Sequence, residues 1–241
     1  MSSSTSQSAS PTNKIISFYD PQISAPDHAD RTLDSILNWP DPRLEQSHNY
    51  IQVLFPLPEG SPYNSQAPIV TEEVFHAFRE RSELRSQLNK SFERICRFYG
   101  FEATTGEVKE EERAVKLTLA QDHEDAFQNW FCSFDHNHLR LTRILRSLRV
   151  LGLEAEAAAL WTMLQRVCAE KPGVVSKKSR MFWRRAAERE LHVPPDVDEV
   201  TEETGEGWLR EWVGRQAGAQ EQKVENRAEK EGSGKGKDAT L

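Results

Sequence analysis

From about residue 14 to 213, apolar residues recur at three- and four-residue spacing nearly everywhere, and no long run alternates with period two. This pattern predicts an all-α domain, a single irregular multi-helix bundle. Asp41 followed by Pro42 reads as the cap and first turn of a helix over 42–54, since proline at a helix start loses only an amide with no intrahelical partner. At the helical period Leu44, His48, Ile51 and Phe55 share one face, with Gln52 on its flank, so the pattern turns His48 inward. Phe55 and Leu57 each precede a proline, and a residue in that position is pushed out of the α region. The helix therefore stops near Leu54. Extended chain follows, in which Val53, Leu54, Phe55 and Leu57 alternate with Pro56, Pro58 and Pro62. Those apolar side chains predict an ordered proline-rich arm lying against the helices, or one wall of a groove that accepts a peptide.

Thr71 and two glutamates open the next helical stretch, and Gly100 closes it. A single helix would bury Arg81 and Arg85 within the stripe of Val74, Phe78, Leu88 and Phe92, at high desolvation cost. A break near Ser82, with Ser82 as the new cap, removes that conflict. The charged stretch 103–120 reads as a connection with room for a short helix, and a short helix then carries Phe127, Trp130 and Phe131. From Asp135 a longer helix places Leu141, Ile144, Leu145, Leu148 and Leu151 on one side and Arg140, Arg143, Arg146 and Arg149 around much of the rest. Leu139 and Val150 fall among these arginines, as they would not on a purely solvated face. Either the helix is sandwiched, with some arginines paired to acidic groups from neighbouring helices, or it presents an open basic strip to an acidic partner, the commonest case being a stripe that faces water or pairs locally. Helices over 154–170 and from Ser176, and a last amphipathic turn over 206–213, complete the pattern.

Hydrophobic residues make up 37% of the 241 positions and charged residues 29%, an apolar share low enough to imply solvated, unfolded ends. The Ser-rich residues 1–13 and the charged residues 214–241 fit that description, leaving 14–213 as the folded domain. A net charge of -7 gives no global attraction to nucleic acid. Cys96, Cys132 and Cys168 are few, odd in number and widely spaced, as expected of reduced thiols. No apolar run reaches the roughly 20 residues of a membrane span, and the N-terminus lacks the apolar block of a secretory signal. An intracellular location, cytoplasmic or nuclear, follows, with peripheral membrane association left open. His123, His136 and His138, with Asp122, Asp135 and Cys132 nearby, match no recognised metal spacing, and neither a metal nor another cofactor is expected.

The segments SFYDPQ, HADRTLDSILNW, HNYIQVLFPLPEGSPYN, HNHLRLTRILRSLRVLGLEAEA and MFWRRAA, in this order, resemble the conserved domain of the opioid growth factor receptor family over about residues 17–187. His48, Tyr50, Ile51, Gln52, Leu54, Phe55 and Pro56 match the family's His-Asp-Tyr-Ile-Gln-Trp-Leu-Phe-Pro elbow, with Asn49 and Val53 in place of its Asp and Trp. His136, Asn137, Leu139, Arg140, Thr142, Arg143, Ile144 and Leu145 match the later helix, and His138 replaces an aromatic residue. The resemblance implies receptor-like activity, with an enkephalin-like peptide as the family's ligand and a nucleus-associated location. It brings no established catalytic or ligand residues.

The residues thus point to a non-enzymatic peptide- or protein-binding module, since no nucleophile motif, Gly-rich phosphate loop or metal pattern occurs. Its candidate binding residues are His48, Tyr50, Gln52, Phe55, Leu57, His136, Asn137, Arg140 and Arg143. The alternative is an enzyme using His48 and His136 as acid-base groups, which requires both imidazoles in one cleft with a third polar group. The matching motifs also predict that His48 and Gln52 meet His136 and Asn137.

Overall fold

The computed structural model describes residues 13–61, 64–105 and 115–233. Residues 1–12 of the Ser-rich tail, Pro62 of the arm, 106–114 of the charged connection and 234–241 of the charged tail lie outside the described residues. The chain forms two compact units, one up to Arg189 and one from Glu190. The folded domain read from the pattern, 14–213, is therefore divided at 189.

In the first unit, α1 (Lys14–Tyr19), α2 (Leu33–Leu37), α3 (Asp41–Gln46), α4 (Ile51–Leu54), α5 (Glu72–Glu80) and α6 (Ser82–Phe98) precede a hairpin of β1 (Phe101–Thr105) and β2 (Val115–Leu119). Helices α7 (His123–Phe127), α8 (His136–Val150), α9 (Glu154–Glu170) and α10 (Lys177–Glu188) follow. Helix α8 is central and packs on both α9 and α10. Its residues Leu141, Ile144, Leu145 and Leu148 are fully buried, as the stripe predicts. Beside it Tyr99, Phe101, Phe127, Trp130 and Trp183 meet edge to face, the arrangement favoured by aromatic quadrupoles.

The hairpin corrects the all-α expectation, and its strands occupy the two described ends of 103–120, read from the sequence as a connection with room for a short helix. The strands pair antiparallel, Phe101 opposite Leu119 and Thr105 opposite Val115. In β2, Lys116 and Thr118 face solvent while Leu117 is buried, a period-two pattern too short to stand out from its charged surroundings. Gly100 joins α6 to β1 with φ 84°, and a Cβ there would lie 3.0 Å from the His123 backbone, so both conformation and space call for glycine.

The predicted break between α5 and α6 occurs at Arg81, whose extended backbone separates the two helices. This frees Arg81 to reach Asp20 at 2.5 Å and Glu83 at 2.7 Å, while Arg85 donates to the carbonyls of Phe78 and Arg79 at the end of α5. The Arg81 guanidinium holds the Asp20 carboxyl below its ordinary pKa. Ser82 is the first residue of α6 rather than its cap, and no side chain caps that end. The predicted helix over 42–54 is also divided: α3 ends at Gln46 and α4 begins at Ile51. Asp41 is the first residue of α3, with Pro40 at the cap position.

In the second unit, α11 (Gly207–Ser233) extends far into the stretch whose composition predicts unfolded chain. Gln, Glu, Ala, Lys and Arg dominate it, and these residues favour helix without needing burial. Residues 214–219 are all exposed. Among the described residues no helix is long and apolar enough to cross a membrane.

The two helix starts separate cleanly in their energetics. The Thr71 hydroxyl accepts the Val74 amide at 3.4 Å, so Thr71→Ala is expected to lower stability by about 0.5–2 kcal/mol. Ser82→Ala, at an exposed position without a capping bond, is expected to stay within about 0.5 kcal/mol of the parent. Urea unfolding of both variants measures the contrast; a larger loss at Ser82 than at Thr71 contradicts it.

Candidate functional site

The elbow after α3 is irregular, and its backbone carbonyls need partners that neither helix nor sheet supplies. The polar side of α8 provides them. Arg140, only 5% exposed, donates to the carbonyls of Leu44 at 3.2 Å, Glu45 at 3.3 Å and Ser47 at 2.7 Å. One turn along, Arg143 donates to Phe55 O at 2.9 Å, and Ser147 donates to Pro56 O at 2.8 Å. Arg146 pairs with Glu59 at 2.6 Å. Burial lowers the Arg143 pKa to about 10, which leaves it charged at neutral pH. The helix is sandwiched, as one of the two sequence readings has it, but its arginines bond mostly backbone carbonyls rather than acidic groups of neighbouring helices. Arg140 and Arg143 are engaged within the fold rather than offered to an acidic partner.

Phe55 is fully buried, Pro56 and Pro58 are buried, and Leu57 is half-buried beneath the same helix. Val70 N–H donates to Leu57 O at 3.0 Å, fastening the arm to the approach to α5. On the other side, the Tyr19 hydroxyl donates to Leu54 O at 2.5 Å.

His48 departs from its predicted position. With the helix broken at 47–50 it is exposed, whereas the continuous helix would have turned it inward. Gln52 is buried, but its side-chain amide lies against the carbonyls of His48 and Asn49 rather than α8, and since those carbonyls can only accept, the nitrogen is assigned to that side, 3.0 Å from each. His48 does reach the later motif: its ring meets His136 edge to face at 5.5 Å, and its Nδ1 accepts from Arg140 at 3.2 Å. Arg140 also donates to Asn137 Oδ1 at 3.1 Å, so it links His48 to Asn137, which do not bond directly. Asn137 is buried, accepts from the Tyr99 hydroxyl at 3.2 Å and donates to Glu45 at 3.0 Å. Tyr50 is buried under Arg140, and burial raises its pKa to about 12. Five of the nine candidate residues, Tyr50, Gln52, Phe55, Asn137 and Arg140, are thus buried, and His48 and His136 are the exposed ones.

His136 lies 3.3 Å from Glu45 through Nε2 and 3.3 Å from Asp135 through Nδ1. These three are a group among the described residues whose donor atoms could converge on a metal ion. Their donors already have partners, since Glu45 accepts from Asn137 and Asp135 caps α8 by accepting the Asn137 amide at 2.7 Å. Of the other histidines noted in the sequence, His123 bonds Ala120 O at 2.8 Å, and Asp122 beside it pairs with Arg97 at 2.6 Å.

An open groove of about 440 Å³ runs between the start of α8 and α10. Its walls include Phe134, Leu139 and Phe182, with Lys178 and His136 as polar edges. Phe134 is 72% exposed and Leu139 55% exposed, although Leu141, Ile144, Leu145, Leu148 and Val150 of the same helix are all buried. His138 and Ser179 form the inner wall. Trp130 O can only accept, so His138 Nε2–H donates to it at 2.8 Å, and Nδ1 accepts the Ser179 hydroxyl at 2.8 Å. Burial lowers the His138 pKa, in keeping with this neutral tautomer. Sequence reasoning flagged Leu139 as out of place and His138 as a departure from an aromatic, and held Phe182 only within the MFWRRAA segment, but nothing in it marked Phe134, Lys178 or Ser179. His136 lines this groove and His48 does not.

Comparison with known proteins places these features in a lineage. The sequence model of the opioid growth factor receptor (OGFr) conserved region matches residues 10–188. The chain is 37% identical to the opioid growth factor receptor of Rattus norvegicus over 147 residues, covering 60% of this chain and 24% of that protein. It is 37% identical to the Homo sapiens receptor over 132 residues, covering 53% of this chain and 18% of that protein. The opioid growth factor receptor-like protein 1 of Xenopus tropicalis is 32% identical over 112 residues, covering 46% of this chain and 20% of that protein. The matches therefore span a quarter or less of each relative's length. No solved structure matches.

Two measurements examine this site. In a double-mutant cycle, Asn137→Ala and Arg140→Met are expected to couple by about 0.5–3 kcal/mol, because each leaves the other's partner unpaired. His48→Ala and Asn137→Ala should be closer to additive; the reverse ranking would displace Arg140 as the link. For His138, a folded pKa below the ordinary 6.5 means that its stabilising contribution is present above pH 6.5 and is lost as pH falls through the folded pKa. His138→Phe should flatten the acid-side decline in stability between pH 7 and 4, and an unchanged slope contradicts the assignment.

Proposed function

Since the chain belongs to the opioid growth factor receptor family, we propose that it is a non-enzymatic peptide- or protein-binding module with opioid growth factor receptor-like activity, working intracellularly in cytoplasm or nucleus. The groove at the start of α8 receives the ligand. The carrying observation is that Leu139 stands exposed at this groove, beside exposed Phe134 just before the helix, although the other apolar residues of α8 are buried. Exposed apolar walls edged by a few polar groups suit a peptide side chain, for which Phe134, Leu139 and Phe182 supply contact area. Lys178 offers a cation to a carboxylate, and His136 a polar edge. Arg140 and Arg143 act indirectly, by holding the elbow against α8.

Catalysis by His48 and His136 has less support, because only His136 lines the groove. A hydrolytic reading has one observation in its favour: the Ser179 hydroxyl donates to His138 Nδ1 at 2.8 Å, and the Trp130 carbonyl orients the ring from its far side. Turnover of p-nitrophenyl acetate that disappears in Ser179→Ala would favour it; the binding reading expects hydrolysis no faster than buffer.

Fluorescence anisotropy with a labelled enkephalin pentapeptide tests the binding reading. Leu139→Asp should weaken binding at least tenfold, about 1.4 kcal/mol, without lowering thermal stability. Equal affinity of parent and variant, or no measurable binding by the parent, would count against this peptide at this groove.

A further inference from the structure

A second groove, on the other side of α10, has a different chemical character. It lies between α9 and α10 and has a volume of about 500 Å³. Trp161, Leu164 and Met181 give it apolar walls, and Lys177, Arg180 and Arg184 line it as cations. No acidic residue belongs to its lining. At 3.6 residues per turn these cations fall within about 60° of the α10 circumference, while Lys178 and Phe182 of the first groove lie on another side. The stripe is about 10 Å long, seven residues at the helical rise.

Several arginines elsewhere in the first unit are matched to carboxylates. Arg79 meets Glu154, Arg81 meets Asp20, Arg94 meets Asp41, Arg97 meets Asp122 and Arg146 meets Glu59. Lys177, Arg180 and Arg184 take part in no ion pair among the described residues, and the Nε of Arg180 is buried without a hydrogen-bond partner. The nearby carboxylates are otherwise engaged, Glu188 accepting the Trp161 indole N–H at 2.8 Å and Glu170 pairing with Arg166 at 3.0 Å. The result is a concentrated basic edge on a chain of net charge -7.

We propose that this groove docks an acidic amphipathic helix of a partner protein. Charge complementarity selects the occupant: carboxylates at helical spacing on the partner would face Lys177, Arg180 and Arg184, and its apolar stripe would cover Leu164, Met181 and the Trp161 ring. A nucleic acid would meet the cations but leave the apolar wall uncovered. The surface is separate from the enkephalin groove and does not depend on that assignment.

The test uses the full chain and a fluorescein-labelled, helix-forming peptide with a Leu/Phe stripe flanked by glutamates. Its controls are a stripe-scrambled peptide of the same composition, a lysine-for-glutamate twin and a single-stranded oligonucleotide of equal charge. The acidic amphipathic peptide should bind at least tenfold more tightly than each control. Arg180→Glu/Arg184→Glu should abolish binding, and Lys177→Glu/Arg184→Glu, confined to exposed side chains, should weaken it at least tenfold with an unchanged melting temperature. Leu139→Asp should leave it unchanged, which keeps this result independent of the first groove. Equal binding of the scrambled peptide, preference for the oligonucleotide, or insensitivity to Lys177→Glu/Arg184→Glu would each overturn the proposal.

Discussion

The fold depends on satisfying the backbone of its own irregular elbow. Between α2 and the start of α5 the described residues form two short helices, α3 and α4, leaving carbonyls at and between their ends that need donors from elsewhere. Arginines from two long helices answer that demand. Arg94 of α6 donates to the carbonyls of Leu37 at 3.1 Å and Trp39 at 2.6 Å, and Arg140 and Arg143 of α8 take the next ones along. Guanidinium suits this role because its planar fork donates in several directions and remains charged when buried. Without these donors each stranded carbonyl would cost about 1–3 kcal/mol.

This constraint shapes both candidate surfaces. Because α8 turns Arg140 and Arg143 toward the elbow and most of its leucines toward the core, Leu139 near its first turn is left on the groove shared with α10. Helix α10 is held between two neighbours through buried Trp183, whose indole donates to His138 O at 2.9 Å. That anchoring leaves Lys178 and Phe182 at one groove and Lys177, Arg180 and Arg184 at the other. The buried motif residues that carry the family resemblance therefore work mainly as scaffold, while exposed Leu139 and Arg184 and half-buried Phe182 of the same segments join residues outside them at the two grooves.

Legibility in the sequence followed the range of the interactions. The helices at 136–150 and 154–170, the caps at Thr71, Asp135 and Ser176, and the break between α5 and α6 rest on spacing and nearest-neighbour chemistry, and all were legible. So was the burial of Phe55, because two prolines forced the chain out of the helix while its apolar side chains still required cover. The hairpin was not legible, since its short strands depend on pairing across a connection rather than on local pattern.

The elbow shows where local information ends. By itself the sequence determined that α8 would have an apolar stripe flanked by arginines and that the chain would leave helical geometry after Leu54. Only the tertiary structure decided that those arginines turn inward, that the helix over 42–54 divides at Ser47, and that His48 faces solvent. The reason is energetic: a helical backbone bond at 47–50 and an arginine bond to the same carbonyls differ little in free energy, so the choice falls to the packing of α8, a partner some 90 residues away in sequence. For the same reason, the exposure of Leu139 and Phe134 became visible only once the core was assembled, because periodicity reports which residues share a face and not which neighbour covers it.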